Sequence, residues 1–389
     1  MLYPVSFLFT KNWIFFLSLY RFGNIDSDLF SNFSGHVLFV REPIVTSEIL
    51  MEIQPEYNKP SRGLQGSEIA FFSDSAGDVT LTKDNLYTYS IPPANSSLCP
   101  FGLNTNLGYK GYQPKVYKPR ESTLGNFEKA LLELGSKANE YKVIAPSSFF
   151  QYVSTLKTSE FNIIYINRKI IIANTETRAG QNPKMSYSGI RFEDLLCHGT
   201  RKKTLNNYNL YQTIRTVSVN GIKCIYCAEV DAVNSSGEYT EIKMILCRNS
   251  IPHAKTTNKR NILKMLHSGN KYFDSFLLRL ITQCQFSGIN NVLIGVRDAS
   301  FNIRNITEFS VSDDLLPFFK HTYPAHYQLF ESSSTNISNV MKRIKQLVDQ
   351  NRPVWKLHIR SGVYTLEEAK QKQDIVDTVL IPEFKRMLV

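Results

Sequence analysis

The sequence predicts a mixed α/β (α+β) protein with a single large domain, in which mostly antiparallel or mixed sheets are flanked by helices. Composition is the first observation: 389 residues, 42% of them hydrophobic and 20% charged, are enough to bury a large core. The second is a series of short β-branched segments joined by turn residues, which favours antiparallel pairing. The third is a set of segments with apolar residues at helical spacing.

The chain divides at residue 65 in this interpretation. Residues 1–65 are expected to form an N-terminal extension of unknown role, ahead of a main domain over 66–389. Residues 1–20 are strongly apolar, but Lys11 splits them into two runs that are too short to span a bilayer. A signal peptide would carry its basic residues before the apolar run. A leader or an edge element packed on the domain is therefore favoured over a membrane or targeting role, and no membrane partner is expected.

Local patterns place the elements of the main domain. Period-two alternation and turn residues predict strands around 87–89, 208–219, 292–296 and 354–364, and a tight hairpin over 161–173. Apolar residues at helical spacing predict helices over 124–134, 187–196, 271–285 and 337–348. Asn220-Gly221 is the strongest hairpin signal, and it leads into the stretch that carries the chemistry.

That stretch is 224–246, which reads as two strands joined by a polar turn at 234–237. Side chains of a strand alternate between its faces, so charged residues two apart point the same way. If the strands pair with each other, three carboxylates and one ammonium converge on one face. These residues are Glu229, Asp231, Glu241 and Lys243.

Clustered carboxylates are unfavourable unless something neutralises them. A divalent cation with oxygen ligands, such as Mg²⁺, would do so, and the lysine would position water or stabilise charge on a phosphate. The alternative is a solvated hairpin face with cross-strand ion pairs. The spacing favours the metal, because Asp231, nine residues, then Glu241-x-Lys243 is the D-x(n)-E-x-K pattern of PD-(D/E)xK nucleases.

Net charge and cysteine usage limit the partners and the compartment. The net charge of +11 favours an anionic partner, most simply a nucleic acid. A basic loop would contact a phosphate backbone or form a solvated face; it contains Lys255, Lys259, Arg260 and Lys264. The six scattered cysteines predict reduced thiols in an intracellular protein. No P-loop, GxGxxG or GxSxG motif occurs.

Several motifs stand in a defined order along the chain. Gly189-Ile190-Arg191-Phe192-Glu193 has the form G-φ-x-φ-E (φ, apolar), and E-φ-D and E-φ-K follow at 229–231 and 241–243. Residues 68–73, 117–120 and 295–298, with Gln283 and Gly288, are further landmarks. In this order the motifs resemble the DXO/Rai family of RNA decapping nucleases, clearly over 66–300. The helix around Gln283 is poorer in Trp and Lys than in the family, and residues 1–65 have no counterpart.

The resemblance implies a PD-(D/E)xK-like core with its site in a cleft between sheet and helices. It makes Glu229, Asp231, Glu241 and Lys243 the catalytic residues. Two Mg²⁺ or Mn²⁺ ions are implied, with Glu193, Asp231, Glu241 and the Ile242 carbonyl as ligands, and with Glu229 bound to a second ion or its water. Arg120, Lys243 and Gln283 would hold the RNA. Arg120 also precedes a helix N-terminus, which suits an anion, although a surface ion pair is the alternative there.

The activity implied is hydrolysis of incomplete or non-standard RNA 5′ ends in mRNA quality control, with 5′–3′ exoribonuclease activity. The ends would be unmethylated caps, triphosphates or NAD caps, and monophosphate ends would serve the exonuclease. A second hypothesis is a partner that activates a nuclear 5′–3′ exoribonuclease, with secondary chemistry of its own. A third is a PD-(D/E)xK DNA nuclease. The nucleus is the favoured compartment, with the cytosol as the alternative.

Overall fold

Two mixed sheets and the helices around them make up the fold. The computed structural model describes residues 51–53, 55, 64, 66–92, 99–112, 124–175, 183–199, 205, 209–248, 258–360 and 362–388. The chain divides into units Met1–Ser47 and Glu48–Val389, and every described residue belongs to the second unit. Among the described residues, no helix is both long enough and apolar enough for a membrane span.

The strands are given in chain order. They are β1 (Met51–Ile53), β2 (Ser67–Ser75), β3 (Asp78–Thr80), β4 (Val143–Pro146), β5 (Ser159–Ile166), β6 (Lys169–Asn174), β7 (Asn209–Val219), β8 (Ile222–Glu229), β9 (Ala232–Val233), β10 (Tyr239–Leu246), β11 (Asn291–Arg297), β12 (Ile303–Ser310), β13 (Val354–Arg360) and β14 (Val363–Glu368). β1 lies before residue 65 and pairs with β14. The domain boundary at residue 65 stays a prediction.

The α-helices are given in the same way. They are α1 (Gly125–Leu134), α2 (Ser147–Thr155), α3 (Pro183–Cys197), α4 (Lys259–Gly269), α5 (Phe273–Ser287), α6 (Leu316–Thr322), α7 (Pro324–Glu331), α8 (Ser333–Leu347), α9 (Lys372–Val379) and α10 (Pro382–Leu388). The four predicted helices correspond to α1, α3, α5 and α8.

The larger sheet has ten strands in the order β1-β14-β13-β5-β6-β4-β8-β7-β2-β3. Its pairs are antiparallel except at β4, which runs parallel to both β6 and β8. Tight turns close the predicted hairpins, with Asn167 and Arg168 at φ of 46° and 63° and Asn220 and Gly221 at 50° and 75°. The predicted mixed, mostly antiparallel architecture is confirmed.

The smaller sheet has four strands in the order β12-β11-β10-β9, and β10 runs parallel to β11. This arrangement corrects the predicted hairpin over 224–246. β8 pairs with β4 and β7 in the larger sheet, whereas β10 pairs with β9 and β11 in the smaller one. The polar turn at 234–237 does exist, but it joins the two-residue strand β9 to β10. The chain therefore crosses from one sheet to the other between Glu229 and Ala232.

Each sheet is covered by helices on both faces. Helices α2 and α8 pack on one face of the larger sheet, and α1, α9 and α10 pack on the other. Helices α4 to α7 cover one face of the smaller sheet, and α3 covers the other through Phe192, Leu195 and Leu196. The edge of β10 beyond its short pairing with β9 therefore lies at the junction of both sheets with α3 and α5.

Two other expectations need correction. The predicted basic loop is partly helical, since Lys259, Arg260 and Lys264 lie in α4, which Asn258 caps by accepting from the Asn261 N–H. Lys255 lies outside the described residues. The predicted strand at 87–89 is reduced to one bridge between Thr88 and Val233, because β9 offers only two residues to pair with.

Candidate active site

The site forms where the chain leaves β8 and crosses to the smaller sheet. Glu229 is the last residue of β8, opposite Gln212 of β7. Asp231 follows in the crossing segment, and its side chain is only 7% exposed. Its Oδ2 accepts a hydrogen bond of 2.7 Å from the Ile242 backbone N–H. This bond ties the crossing segment to the edge of β10 just beyond its short pairing with β9.

Glu241 is the third residue of β10, and its side chain is fully buried. Its Oε1 accepts a 2.6 Å hydrogen bond from the Gln283 amide of α5, and it forms an ion pair with Lys243. Its other oxygen, Oε2, is buried and has no hydrogen-bond partner among the described residues. A buried carboxylate oxygen without a partner carries an uncompensated desolvation penalty.

Lys243 is the cation shared by this cluster. Its Nζ lies 3.4 Å from Asp231 Oδ2, contacts Glu241 Oε1, and lies 3.3 Å from the Ile242 carbonyl oxygen. Burial opposes the charge, but Asp231, Glu241 and Glu193 outweigh it and raise the pKa of Lys243 well above its usual value. Lys243 is therefore an ammonium at physiological pH.

Glu193 reaches the cluster from α3, whose position depends on a glycine. The Phe192 ring packs against Gly295 of β11 so closely that a Cβ there would overlap it. One turn earlier in α3, the Ser188 hydroxyl lies 2.6 Å from that of Thr105, which also holds the helix in place. Burial, followed by the negative charge of Asp231, raises the pKa of Glu193 well above its usual value.

The carboxylates also act on one another electrostatically. Burial raises the pKa of Glu241 to about 8, and the charges of Asp231 and Glu229 add to that increase. Glu229 likewise raises the pKa of Glu193. Burial and the negative charge of Glu193 raise the pKa of the nearby Cys197 thiol to about 12, so it remains protonated. All six cysteines are free thiols, which confirms the prediction from their spacing.

The donor set fits a divalent cation in its chemistry. Carboxylates and a main-chain carbonyl are the hard oxygen ligands that Mg²⁺ and Mn²⁺ take, and Glu241 Oε2 is an oxygen with no partner of its own in the described chain. In the part of the chain that the structure describes, no three His, Cys, Asp or Glu side chains already surround one point as metal ligands. The Lys243 ammonium lies against both Asp231 and Glu241.

The predicted site residues are therefore brought together to different degrees. Asp231, Glu241, Ile242, Lys243 and Gln283 are linked by direct contacts. Glu193 and Glu229 join them through the electrostatic effects described above. Arg120 lies outside the described residues. The roles of all these residues remain predictions.

The sequence interpretation missed the cavity that opens beside Lys243 and Gln283. It has a volume of about 300 Å³, and α2 and α5 supply most of its wall. Residues of α5 that line it, Phe276, Arg279 and Gln283, recur at helical spacing and point along one face. From the sequence, this spacing could have shown that the three residues share one face of α5. No local pattern relates the residues of α2 to this site.

Comparison with known proteins agrees with the fold. The family model for RAI1-like PD-(D/E)XK nucleases matches residues 65–385. Decapping and exoribonuclease protein 1 of Kluyveromyces lactis is 30% identical over 141 residues, which are 36% of this chain. The match covers 30% of that protein, so this chain aligns with less than a third of its length.

Solved structures share the architecture over most of the chain. Scheffersomyces stipitis Rai1, in complex with (3′-NADP)⁺ and calcium, has a TM-score of 0.66 at 16% identity, covering 90% of this chain and 99% of that one. Candida albicans Rai1, in complex with pU5-Mn²⁺, has a TM-score of 0.66 at 15% identity, covering 87% and 99%. Kluyveromyces lactis Dxo1, in complex with manganese, has a TM-score of 0.60 at 16% identity, covering 83% and 98%. These likenesses show the fold, and together with the family model over 65–385 they confirm the resemblance: the chain belongs to the RAI1-like PD-(D/E)XK nuclease family.

Proposed function

We propose that this protein is a divalent-metal-dependent nuclease that hydrolyses incomplete or non-standard RNA 5′ ends. Its substrates would be RNAs with an unmethylated cap, a triphosphate or an NAD cap. It would also degrade monophosphorylated RNA from 5′ to 3′, and its cellular role would be quality control of mRNA 5′ ends.

One observation carries the proposal. Three acidic residues, Glu193 of α3, Asp231 of the crossing segment and Glu241 of β10, act on the Lys243 ammonium, and one fully buried carboxylate oxygen has no described partner. Excess buried negative charge of this kind is a recurrent feature of sites that take up cations and then phosphates.

The relatives support the substrate class. Candida albicans Rai1 was solved with an oligouridylate and Mn²⁺, and Scheffersomyces stipitis Rai1 with (3′-NADP)⁺ and calcium. The Kluyveromyces lactis relative is named for decapping and exoribonuclease activities. For this chain we extend these properties as a proposal, with Mg²⁺ or Mn²⁺ as the cofactor and two ions as the expected number.

The acidic residues and Lys243 would have different roles in hydrolysis. Glu193, Asp231, Glu241 and the Ile242 carbonyl would hold the first ion, and Glu229 would serve a second. Bound divalent ions would neutralise the carboxylates, polarise the phosphate and lower the pKa of water. Lys243, an ammonium beside the same carboxylates, would stabilise negative charge on the phosphate undergoing attack.

Loading of the site would require a local rearrangement. The Lys243 ammonium lies between Asp231 and Glu241, so it would have to shift for the two carboxylates to hold one ion together, although Glu241 Oε2 has no described partner. Its side chain is 30% exposed and lines the neighbouring cavity, which leaves it room to move. The Gln283 amide would remain on Glu241 Oε1 and keep that carboxylate oriented.

The test is cleavage of internally labelled RNAs that differ only at the 5′ end. The ends are a methylated cap, an unmethylated cap, NAD, triphosphate and monophosphate, each incubated with Mg²⁺, with Mn²⁺ and with EDTA. We expect metal-dependent release of the cap or of pyrophosphate from at least one RNA, and shortening of the monophosphorylated RNA.

The Asp231→Ala/Glu241→Ala double variant should lose these activities, whereas Glu238→Gln should retain them. Glu238 is a suitable control because it is an exposed carboxylate in the same β9–β10 connection. If the wild type alters none of the RNAs, the proposal fails, and a role as a binding partner of a 5′–3′ exoribonuclease becomes the hypothesis to test. Preference for duplex DNA would instead favour a DNA nuclease.

We also propose an intracellular location, with the nucleus favoured over the cytosol. The six free thiols support a reducing compartment. Imaging of the tagged full-length chain would distinguish nucleus from cytosol.

A further inference from the structure

A buried arginine of the larger sheet contacts the helix that carries Gln283. Arg215 lies in β7 and is only 7% exposed. Its Nη2 donates to the Gly66 carbonyl over 2.8 Å, and its Nη1 lies 3.5 Å from Glu68 Oε2. Its guanidinium also packs on Gly288 so closely that a Cβ on that residue would overlap it. Because Gly288 ends α5, this arginine joins the start of β2 to the C-terminal end of α5.

The end of α5 has the backbone conformation that this contact requires. Gly288 is left-handed, at φ of 68°, and its N–H donates to the Cys284 carbonyl. The Tyr226 hydroxyl of β8 donates to the Phe286 carbonyl over 2.9 Å. The last turn of α5 is therefore fixed against the larger sheet, about one turn beyond Gln283.

A β-bulge turns Glu68 toward the same helix. Ala70 of β2 pairs with Ile214 of β7. The next pair toward the start of β2 joins Glu68 to Arg215, which leaves Ile69 as an extra residue. Paired residues of neighbouring strands point to the same face, so the bulge places Glu68 on the face of Arg215 and not on that of Ala70. Without the bulge, the carboxylate would point away from α5.

Glu68 extends this contact to the smaller sheet. Its Oε1 accepts a 3.1 Å hydrogen bond from the hydroxyl of Tyr239, the first residue of β10. The same hydroxyl lies 3.1 Å from that of Tyr211 in β7. Tyr239 and Glu241 are two residues apart on one strand, so their side chains leave β10 on the same side. One carboxylate therefore contacts both the start of β10, through Tyr239, and the end of α5, through Arg215.

We infer that Glu68, Arg215 and Tyr239 are positioning residues, which fix α5 relative to β10 and so keep the Gln283 amide on the Glu241 carboxylate. That amide donates to Glu241 Oε1 over 2.6 Å, and so orients a carboxylate whose other oxygen has no described partner. The inference rests on the proposed function, in which Glu241 is a metal ligand. Groups that orient a ligand without touching the metal change its affinity by roughly 10- to 100-fold when they are removed.

The contacts of Arg215 favour positioning over a purely stabilising ion pair. Its distance to Glu68 is 3.5 Å, and the Glu68 side chain is 30% exposed. An ion pair that solvent reaches in this way contributes little to the free energy of unfolding. Arg215 Nε is also buried without a partner among the described residues, which is unfavourable. The defined effect of this arginine is instead to hold the end of α5 against β2 and β7.

Binding of Mn²⁺ to the purified full-length chain, without RNA, tests the inference. Arg215→Met should raise the Mn²⁺ dissociation constant about tenfold, and Tyr239→Phe should raise it about threefold. Glu68→Gln should remain close to the wild type, because its amide oxygen can still accept from Tyr239. Tyr364→Phe is the matched control and should bind as the wild type does. It also loses a donating hydroxyl, 2.7 Å from the Val153 carbonyl, but on β14, which four strands separate from β8.

A double-mutant cycle shows whether the effect passes through Gln283. Gln283→Leu removes the amide that contacts Glu241 and should itself weaken Mn²⁺ binding. If Arg215 acts through this amide, Arg215→Met should add less than about twofold in the Gln283→Leu background, because the two changes remove the same contact. Fully additive losses would contradict the inference.

Crystal structures of Arg215→Met and Tyr239→Phe provide a measurement that does not depend on the metal. The distance from Gln283 Nε2 to Glu241 Oε1 is 2.6 Å in the wild type and should exceed about 3.5 Å in Arg215→Met. The melting temperature of each variant shows whether it folds. Tyr239→Phe removes a single oxygen atom, so it keeps the test available if Arg215→Met does not fold.

The outcomes separate this inference from the proposed function. If the wild type binds Mn²⁺ and both variants bind it equally well, the inference is overturned and the proposed function stands. If the wild type binds no Mn²⁺, the crystal structures decide. A displaced Gln283 amide would then contradict the proposed function alone, and an intact bond to Glu241 would contradict both.

Discussion

Two groups of acidic residues in this protein differ in how their charge is balanced. On β5, β13 and β14, Glu160 and Glu367 flank His358, whose ring nitrogens lie 3.0 and 3.3 Å from their carboxylate oxygens. Lys356 and Arg360 also approach Glu160, at 3.3 and 3.8 Å. At the junction of the sheets, Lys243 forms ion pairs with both Asp231 and Glu241, and Glu193 also acts on it electrostatically.

The difference separates a structural ion-pair network from a site that recruits cations. Neighbouring strands supply the first group with about as many basic groups as acidic ones, and its side chains are partly exposed, so its negative charge is balanced within the group. Both ring nitrogens of His358 are nevertheless buried without a hydrogen bond to a described residue. The second group is buried, carries excess negative charge and leaves Glu241 Oε2 without a described partner. A cation bound from solution would neutralise the excess negative charge of the second group. The first group carries no such excess, so a bound cation would not stabilise it.

The largest expected effect concerns the two lysines. Lys243→Met should lower kcat on the best RNA substrate by about 100- to 1,000-fold, because it removes the positive charge next to the reacting phosphate. Lys356→Met, the same change in the first group, should leave kcat unchanged. Initial rates at saturating RNA measure both. Equal loss in the two variants, or none in either, would contradict the distinction between the groups.

In the absence of a divalent ion, the free energy of unfolding of the protein should depend on pH through the buried carboxylates. The pKa of Glu241 is about 8 in the folded protein, against an ordinary value of 4.5. Between these values the folded chain retains a proton that the unfolded chain has released, so the free energy of unfolding falls as pH rises, by up to a few kcal/mol.

Melting temperatures in EDTA at pH 5, 6.5 and 8 measure this effect. The Glu241→Gln variant should show a flatter profile than the wild type, because its side chain does not titrate. Glu367→Gln, the matched change in the first group, should follow the wild-type profile. A Glu241→Gln profile parallel to that of the wild type would show that Glu241 does not carry this penalty.

A smaller effect is expected from the support of Glu193. Gly295→Ala places a methyl group against the Phe192 ring and should destabilise the protein by about 1 to 3 kcal/mol while displacing α3. Gly189→Ala is the control in α3 itself, since no atom lies within 4 Å of its added Cβ, and it should be neutral or stabilising by up to ~1 kcal/mol. Chemical denaturation measures both. Phe192→Leu in the Gly295→Ala background should recover part of the loss.

The smallest effect is expected in the first group, on β5, β13 and β14. Glu160→Gln should change the free energy of unfolding by no more than about 1 kcal/mol, because ion pairs that solvent can reach contribute little and Glu160 is 20% exposed. The change should also shrink in high salt, which screens such pairs. A loss of several kcal/mol would mean that this network contributes far more to the free energy of unfolding than a solvent-accessible ion-pair network should.

Much of the local structure was predictable because it depends on nearby residues. Asn220-Gly221 closes a hairpin through its positive φ values, and the apolar face of α3 follows from Phe192, Leu195 and Leu196. The convergence of Asp231, Glu241 and Lys243 was also predicted, from alternation along strands. The predicted pairing of the two strands over 224–246 with each other was wrong, although Lys243 does contact both Asp231 and Glu241.

The errors arise where distant segments decide the outcome. β10 takes β11 as its parallel partner only after α4 and α5 have intervened, and β8 takes β4, some 80 residues earlier in the chain. No local pattern encodes such pairings. The same reason hides the cavity wall formed by Tyr152 and Lys157, which reach Lys243 only through packing of α2 on α5.

The most direct test of the central claim is Mn²⁺ binding by the purified full-length chain, followed by the loss of the free-ion signal in electron paramagnetic resonance. The wild type and the Glu160→Gln/Glu367→Gln variant should bind Mn²⁺ equally. The Asp231→Asn/Glu241→Gln variant should lose that binding while keeping its fold by circular dichroism. Equal binding by all three proteins would contradict the assignment of the buried carboxylates as the metal site.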